Sequence, residues 1–220
     1  MMTIIMNNAA FTEPPRNCAR CPRLRAFLLD LRAQYPDWHN APVPSFGDPE
    51  AALLIIGLAP GMQGANRTGR PFTGDWAGDL LYAAINEYGF SEGTYGAEPD
   101  DGLRLTGAMI TNAVRCLPPQ NKPVGAEINT CRPFLVDQIE AMRSLKALLC
   151  LGKISHDSTI RAFGLRLKDY PFGHHVIYDL PNGLRLYSSY HCSRYNTNTK
   201  RLTEDMFYGV FTDIRAYLKR

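Results

Sequence analysis

The segment AALLIIGL, Ala51–Leu58, runs for eight residues without a polar side chain and is bounded by Pro49 and Pro60. It is far shorter than the roughly 20 apolar residues a membrane-spanning helix needs. It also lacks the apolar–polar alternation of a strand with one wet face. Such a run suits a strand covered on both sides, as in a parallel sheet flanked by helices. ALLCLG at Ala147–Gly152 repeats the pattern, and LTGAMITNAVR at Leu105–Arg115 supplies a further strand.

Helical spacing fills the intervals. Leu24, Phe27, Leu28 and Leu31 mark a helix over Pro22–Tyr35, and Asp75–Tyr88 reads as a second with Trp76, Leu80, Ala83 and Ala84 inward. Gly125–Leu145 carries Phe134, Ile139 and Met142, Ser155–Phe163 is a shorter helix, and Leu202, Met206, Val210, Ile214 and Leu218 define a closing amphipathic helix over Leu202–Leu218. Val176–Leu180 and Leu184–Ser188 flank Pro181-Asn182-Gly183, a turn expected to pair two strands. Pro36 to Pro49 is expected to cross the surface as a link, and Ala59–Gly74 to form a long Gly-rich loop. Strands alternating with helices predict an α/β fold, a three-layer α/β/α sandwich around a short, mostly parallel sheet. The 220 residues suit one domain over 1–220, with 1–17 as an extended lead-in.

The chain has no run of 18 apolar residues, and Met1–Ala10 lacks a basic region followed by an apolar one. No membrane partner and no secretory signal are therefore expected, and the location expected is cytoplasmic. In that compartment the six cysteines are not a disulfide framework. Cys18 and Cys21 form a C-x-x-C, and Cys116 and Cys131 enclose 14 residues. Two local pairs brought together could close one thiolate site. Pro and Arg around the first pair argue against simple core cysteines, while thiolate ligands alone leave zinc and [4Fe–4S] both open. A net charge of +3 neither demands nor forbids a polyanion, so the placement of charges decides.

In open α/β sheets ligands bind beyond the carboxyl ends of the strands. Three segments rich in Gly or polar groups follow such ends: Gly57–Gly61 through Phe72–Asp75, Thr111–Cys116, and Tyr190–Asn196. The first lacks both G-x-x-x-x-G-K-[ST] and G-x-G-x-x-G, which argues against nucleotide hydrolysis. Asp75, after a Gly, could equally cap a helix. His191 could be a packed strand-end imidazole, Asn112 a turn residue and Phe72 plain core.

Four motifs in order carry a resemblance: the C-x-x-C at Cys18, GLAPG…NRTGRPFTGD from Gly57 to Asp75, TNAVRCLPPQNKP followed by Cys131, and H-x-S-R-x-N-T from His191. From Cys18 to about Thr203 the chain resembles uracil-DNA glycosylases of the thermostable iron–sulfur type, in the family 5 or B-type branch. The resemblance implies removal of a deaminated base (uracil, with hypoxanthine or xanthine) from double-stranded DNA by hydrolysis of its N-glycosidic bond. It also implies a [4Fe–4S] cluster on Cys18, Cys21, Cys116 and Cys131 that orders DNA-facing loops without joining the cleavage. Family 4 relatives have GEAPG where Leu58 stands here, and this branch moves the carboxylate's role to Asp75. His191 is then the donor to the pyrimidine O2. Gly57, Leu58, Ala59, Phe72, Asn112 and Asn121 surround the base, and Arg67, Arg70, Arg194, Tyr195 and Asn196 meet the DNA. Cys192 departs from the usual His-Pro-Ser and frees one backbone angle. A monomer is expected. Two rival classes remain on the residues alone: a non-catalytic nucleic-acid-binding module with a structural zinc site on the four cysteines, and an iron–sulfur electron carrier.

Overall fold

The structure is a computed structural model and describes residues 11–219. The first ten residues of the expected lead-in lie outside the described residues. Beyond them Glu13 ties the segment down: its carboxylate accepts from Arg115 Nη1 at 2.8 Å and from the Ser45 N–H at 2.8 Å.

Four parallel strands form the middle of a six-stranded sheet: β2 (Leu53–Gly57), β5 (Ala108–Asn112), β6 (Ala147–Leu151) and β8 (Arg185–Ser189). Two antiparallel strands, β1 (Phe46–Gly47) and β7 (Val176–Asp179), close the edges, giving the order β1-β5-β2-β6-β8-β7. Every residue of β2, β5 and β6 is buried, as the unbroken apolar runs require. Helices α3 (Trp76–Glu87) and α7 (Glu204–Leu218) share one core with Leu53, Ile55, Ile110 and Leu149. The opposite face buries Leu54, Ile56 and Leu148 under α4 (Gly125–Ala141) and α5 (Lys153–Ala162). The expected three layers are present. Helix α1 (Pro22–Gln34) packs separately, through Leu28 and Leu31, on Leu117 and Cys116.

Several local expectations are corrected. The Pro36–Pro49 link does not merely skirt the surface: Asn40, Ala41 and Val43 are buried, and Phe46–Gly47 adds β1 to the sheet edge. The strand expected over Leu105–Arg115 is broken at Gly107, where φ is +68°. Its first part, β4 (Arg104–Leu105), pairs instead with β3 (Ser91–Glu92). The loop Ala59–Gly74 contains a short helix, α2 (Ala65–Thr68). In α3 the inward face is Ala77, Leu81, Ala84 and Ile85, while Trp76 and Ala83 are exposed. The cap at Asp75 starts the helix at Trp76 and sets that phase. α4 stops at Ala141, and Glu204–Leu218 begins after Thr203, whose hydroxyl caps it.

Arg70, expected on DNA, lies inside. Its guanidinium makes a two-pronged pair with Asp101 at 2.7 and 2.6 Å, donates to Thr73 Oγ1 at 2.7 Å, and sits over the Phe46 ring. Both side chains of the pair are 5 % exposed. No face of Arg70 is left for a phosphate. Arg70 holds the Asp101 carboxyl well below the usual carboxylate range, so the pair stabilises the fold above that range and the contribution is lost as pH falls through it. Asp101→Asn strands a buried cation, and we expect a loss on the order of 3–5 kcal/mol in denaturant titrations.

Candidate active site

The parallel register sets Gly57, the last residue of β2, beside Asn112, the last of β5. From these ends the chain opens a cavity of about 430 Å³ lined by Leu58, Ala59, Gly61, Phe72, Asp75, Trp76, Ala77, Asn112, Asn121, His191, Ser193 and Arg194. All three segments singled out in the sequence therefore converge. A Cβ at Gly57 would overlap Asn112 Oδ1 and the Phe72 ring. That missing atom is what lets the amide and the ring approach. Asn112 is 3 % exposed, and its Oδ1 is buried without a hydrogen-bond partner.

Phe72 is held in the left-handed region, φ +53°, a conformation that costs a non-glycine residue roughly 1–2 kcal/mol. Its carbonyl accepts from Tyr95 Oη at 3.1 Å, and Gly78 of α3 passes so close that a Cβ there would overlap the same oxygen. The Phe72 ring stacks toward His191 with centroids 5.8 Å apart. His191 follows the end of β8. Its carbonyl accepts from Asn196 Nδ2 at 2.8 Å, and the next residue, Cys192, is fully buried and donates its thiol to Ala77 O at 3.4 Å. Cys192 thus docks the histidine loop on the start of α3. Burial pushes His191 down to about 4, so the imidazole is neutral at physiological pH.

Asp75 does cap α3: Oδ1 accepts from the Gly78 N–H at 3.3 Å. The bond is long and its donor is shared with the Asp75 carbonyl at 3.0 Å. The other oxygen, Oδ2, lies beside Gly61 and Gly64 at the cavity. One carboxylate therefore has a cap oxygen and a second oxygen free of the cap. Burial raises its pKa, and the N–H groups of Gly78 and Ala77 only partly counter that.

A second convergence lies on the α1 side. Cys18, Cys21, Cys116 and Cys131 line one small cavity with Arg20, Arg25, Arg115 and Phe134, and all four thiols are free. Cys131 Sγ accepts from the Arg115 N–H at 3.3 Å. Burial, helped by the neighbouring Cys131, Glu127 and Cys18, pushes Cys21 up to about 11, and burial raises Cys116 and Cys131 as well. Thiols that crowd one another in this way are relieved by a bound cationic metal. Among the described residues no three His, Cys, Asp or Glu side chains close around a single ion position.

A sequence profile of the uracil DNA glycosylase superfamily matches residues 44–215. A Type-5 uracil-DNA glycosylase of Thermus thermophilus is 42% identical over 216 residues, 96% of this chain and 98% of that protein. The chain belongs to the uracil-DNA glycosylase superfamily. A Type-5 relative from Pyrobaculum aerophilum is 39% identical over 192 residues, covering 85% of this chain and 83% of its own length. A Type-4 uracil-DNA glycosylase of the same organism reaches 30% over 152 residues, 69% of this chain and 63% of that protein.

Within this superfamily member, the residues expected around the base are brought together: Leu58, Ala59, Phe72, Asn112 and Asn121 line the cavity, with Gly57 directly behind. Those expected on DNA divide. Arg194 lines the rim with its guanidinium over the Trp76 ring, and Tyr195 is 72 % exposed. Arg67 donates to Gln63 O at 3.0 Å and lies 3.4 Å from Glu98, so its charge is partly engaged. Asn196 turns inward to the His191 carbonyl, because Ser193 starts the short helix α6 (Arg194–Asn198) and fixes its direction. Sequence reasoning missed Trp76, Ser193 and Tyr95. Trp76 directly follows Asp75, and an aromatic in the first turn beside a pocket loop was the available signal. Tyr95 acts across 23 residues and left none.

Gly57→Ala tests the close approach. We expect at least a tenfold loss of base excision in single-turnover assays and about 1–3 kcal/mol of stability, the usual range for overpacking.

Proposed function

We propose that this chain is a DNA repair glycosylase that draws a deaminated base out of double-stranded DNA and hydrolyses its N-glycosidic bond, leaving an abasic site. The observation that carries the reading is one cavity with the Asp75 carboxylate, the neutral His191 imidazole and the unpartnered Asn112 carbonyl oxygen on its walls.

As the bond to the base lengthens, its electron pair leaves with the base and the sugar becomes oxocarbenium-like. In this reading Asp75 Oδ2 opposes the sugar's positive charge, holds the water whose oxygen bonds to the anomeric carbon, and takes up the proton that water loses. His191 donates an N–H to the pyrimidine O2 as negative charge collects there, a contribution of roughly 2.7–4 kcal/mol for one preorganised donor. Asn112 Oδ1 accepts from the N–H on the Watson–Crick edge of the flipped base, which would answer its missing partner. Phe72 stacks on the base and Asn121 closes the side. The cavity of about 430 Å³ has room for the larger purines hypoxanthine and xanthine as well as uracil. Arg194 and Tyr195 enter the gap left in the duplex.

Cys18, Cys21, Cys116 and Cys131 are the ligands proposed for a [4Fe–4S] cluster; their soft thiolates and the neighbouring Arg20 and Arg115 suit an anionic cluster. Held by these four residues, it would cross-link the turn before α1 to the loop that carries Asn121, with no chemistry at the base. We read the chain as one domain over 1–220, a monomer acting in the cytoplasm. Among the described residues no helix is long and apolar enough to cross a membrane.

The deciding experiment incubates the protein with duplexes carrying U·G, U·A, hypoxanthine or xanthine, then adds alkali to reveal abasic sites. A binding module with structural zinc would leave every strand intact. Asp75→Asn keeps a helix cap but removes the charge. We expect excision to fall by orders of magnitude while stability at neutral pH stays equal or rises, since a raised folded-state pKa means the ionised carboxylate opposes folding there. In the unaltered protein the acid limb of excision should lie above the ordinary carboxylate range. His191→Ala should slow single-turnover excision about 100- to 1,000-fold with duplex binding changed only a few-fold.

Cys131→Ser should bleach the brown iron–sulfur absorption of anaerobically purified protein and lower its iron content. Stoichiometric zinc in a colourless, active protein would replace the cluster with the zinc assignment.

A further inference from the structure

The turn before α1 and the helix itself carry Arg16, Arg20, Arg23, Arg25 and Arg32. Three have evident tasks. Arg23 makes a two-pronged pair with Glu127 at 2.7 Å. Arg32 donates to Asn40 O, Asn17 Oδ1 and Arg16 O, binding the turn to the helix. Arg20 lies over the Phe134 ring at 4.5 Å and bears on the thiols of Cys21 and Cys131.

Arg16 and Arg25 are exposed, and among the described residues neither meets a carboxylate within ion-pair distance. Residues 1–10 contain no Asp or Glu that could supply one. Arg32 is a cationic neighbour, its Nη2 donating to the Arg16 carbonyl at 2.8 Å. After burial, Arg16 and Arg25 are the groups that depress Arg32, and Arg16 and Arg32 bear on His39. Like charges kept together without a direct ion-pair partner oppose folding, and such a face suits a polyanion.

The face adjoins the base cavity. Phe27 of α1, Tyr35 just after it, Met62 and Cys116 all pack against the cluster of Leu28, Leu31 and Leu117. The N–H groups of His39 and Asn40 donate to the carbonyls of Arg67 and Asn66 at 3.0 and 3.1 Å. Gly61, next to Met62, and Asn121, in the loop from Cys116, both line the cavity. Helix α1 and the turn after it thus adjoin two of the cavity's loops.

We propose that Arg16 and Arg25 form a second phosphate-contacting face that holds one flanking arm of the duplex, separate from Arg194 and Tyr195. It rests on the glycosylase reading for its ligand, duplex DNA. The face is electrostatic and sequence-independent: its guanidiniums displace counterions from phosphates and read no base. It takes over the anchoring that Arg70 and Asn196, both turned inward, do not provide.

The test measures binding of the full-length protein to a duplex with a 2′-fluorinated, cleavage-resistant deoxyuridine, by fluorescence anisotropy across a salt series. Each phosphate contact contributes about 0.9 to the slope of log affinity against log salt. Arg16→Ala with Arg25→Ala, in protein whose iron content matches the parent's, should make that slope shallower by about 1.8. Shortening one flank of the duplex should erase the difference between parent and variant, while shortening the other should preserve it. Arg25→Gln alone, which keeps a polar side chain at the edge of the cysteine cavity, should lower the slope by about 0.9 should the double variant fold poorly. A folded Arg25→Gln protein with the parental slope overturns the proposal, as does a difference insensitive to both flanks. Parental protein that forms no abasic sites while the slope still falls refutes the glycosylase reading and leaves the face standing. Normal excision with an unchanged slope does the reverse.

Discussion

The cavity depends on one register. With β2 and β5 parallel and Gly57 beside Asn112, the two strands end at the same height, and the atom missing from Gly57 is the space into which Asn112 Oδ1 and the Phe72 ring fit. A slip of one residue would turn Ile55 and Ile110 away from the α3–α7 core and carry Asn112 to the other face. The two cores, each closed by its own helices, make that slip costly. Precision at the site is thus inherited from burial elsewhere in the sheet.

Support for Phe72 comes from the same economy of placement. Its left-handed backbone persists because Tyr95 holds the carbonyl, Gly78 lets α3 close over it, and the Arg70–Asp101 pair fixes the chain on either side. Asp101 also accepts from the N–H groups of Gly96 and Leu103, so the segment that carries Tyr95 is folded around the same carboxylate. An arginine that the sequence suggested for DNA therefore serves the ring that would meet the base.

What was legible in the sequence follows from these distances. Strands buried on both faces announce themselves by composition over five or more residues, and β2 and β6 do so. The two-residue strands β1, β3 and β4 have no period to detect. The clusters at the strand ends were legible because chain topology alone delivers them to one edge of the sheet, so Phe72, Asp75, Asn112, Asn121 and His191 meet as expected. Side-chain direction was not legible. Arg70 finds its partner 31 residues away, and Asn196 turns back because Ser193 begins a helix turn three residues earlier. Trp76 reads as inward by spacing, yet the Asp75 cap rotates it outward to the cavity rim.

The electrostatics of the cavity also bear on why Asp75 and His191 can share it. Burial moves both toward their neutral forms, the carboxyl upward and the imidazole downward. Were His191 protonated at working pH, imidazolium and carboxylate would attract and each would be partly neutralised before any substrate arrived. A neutral imidazole avoids this and still offers an N–H. The carboxylate then remains the uncompensated charge of the pair, placed where an oxocarbenium-like sugar would supply the missing positive partner. On the proposed reading that partner is present only while the bond is breaking, so a buried charge unfavourable in the free protein would become favourable in the transition state, which is the condition for it to speed the reaction.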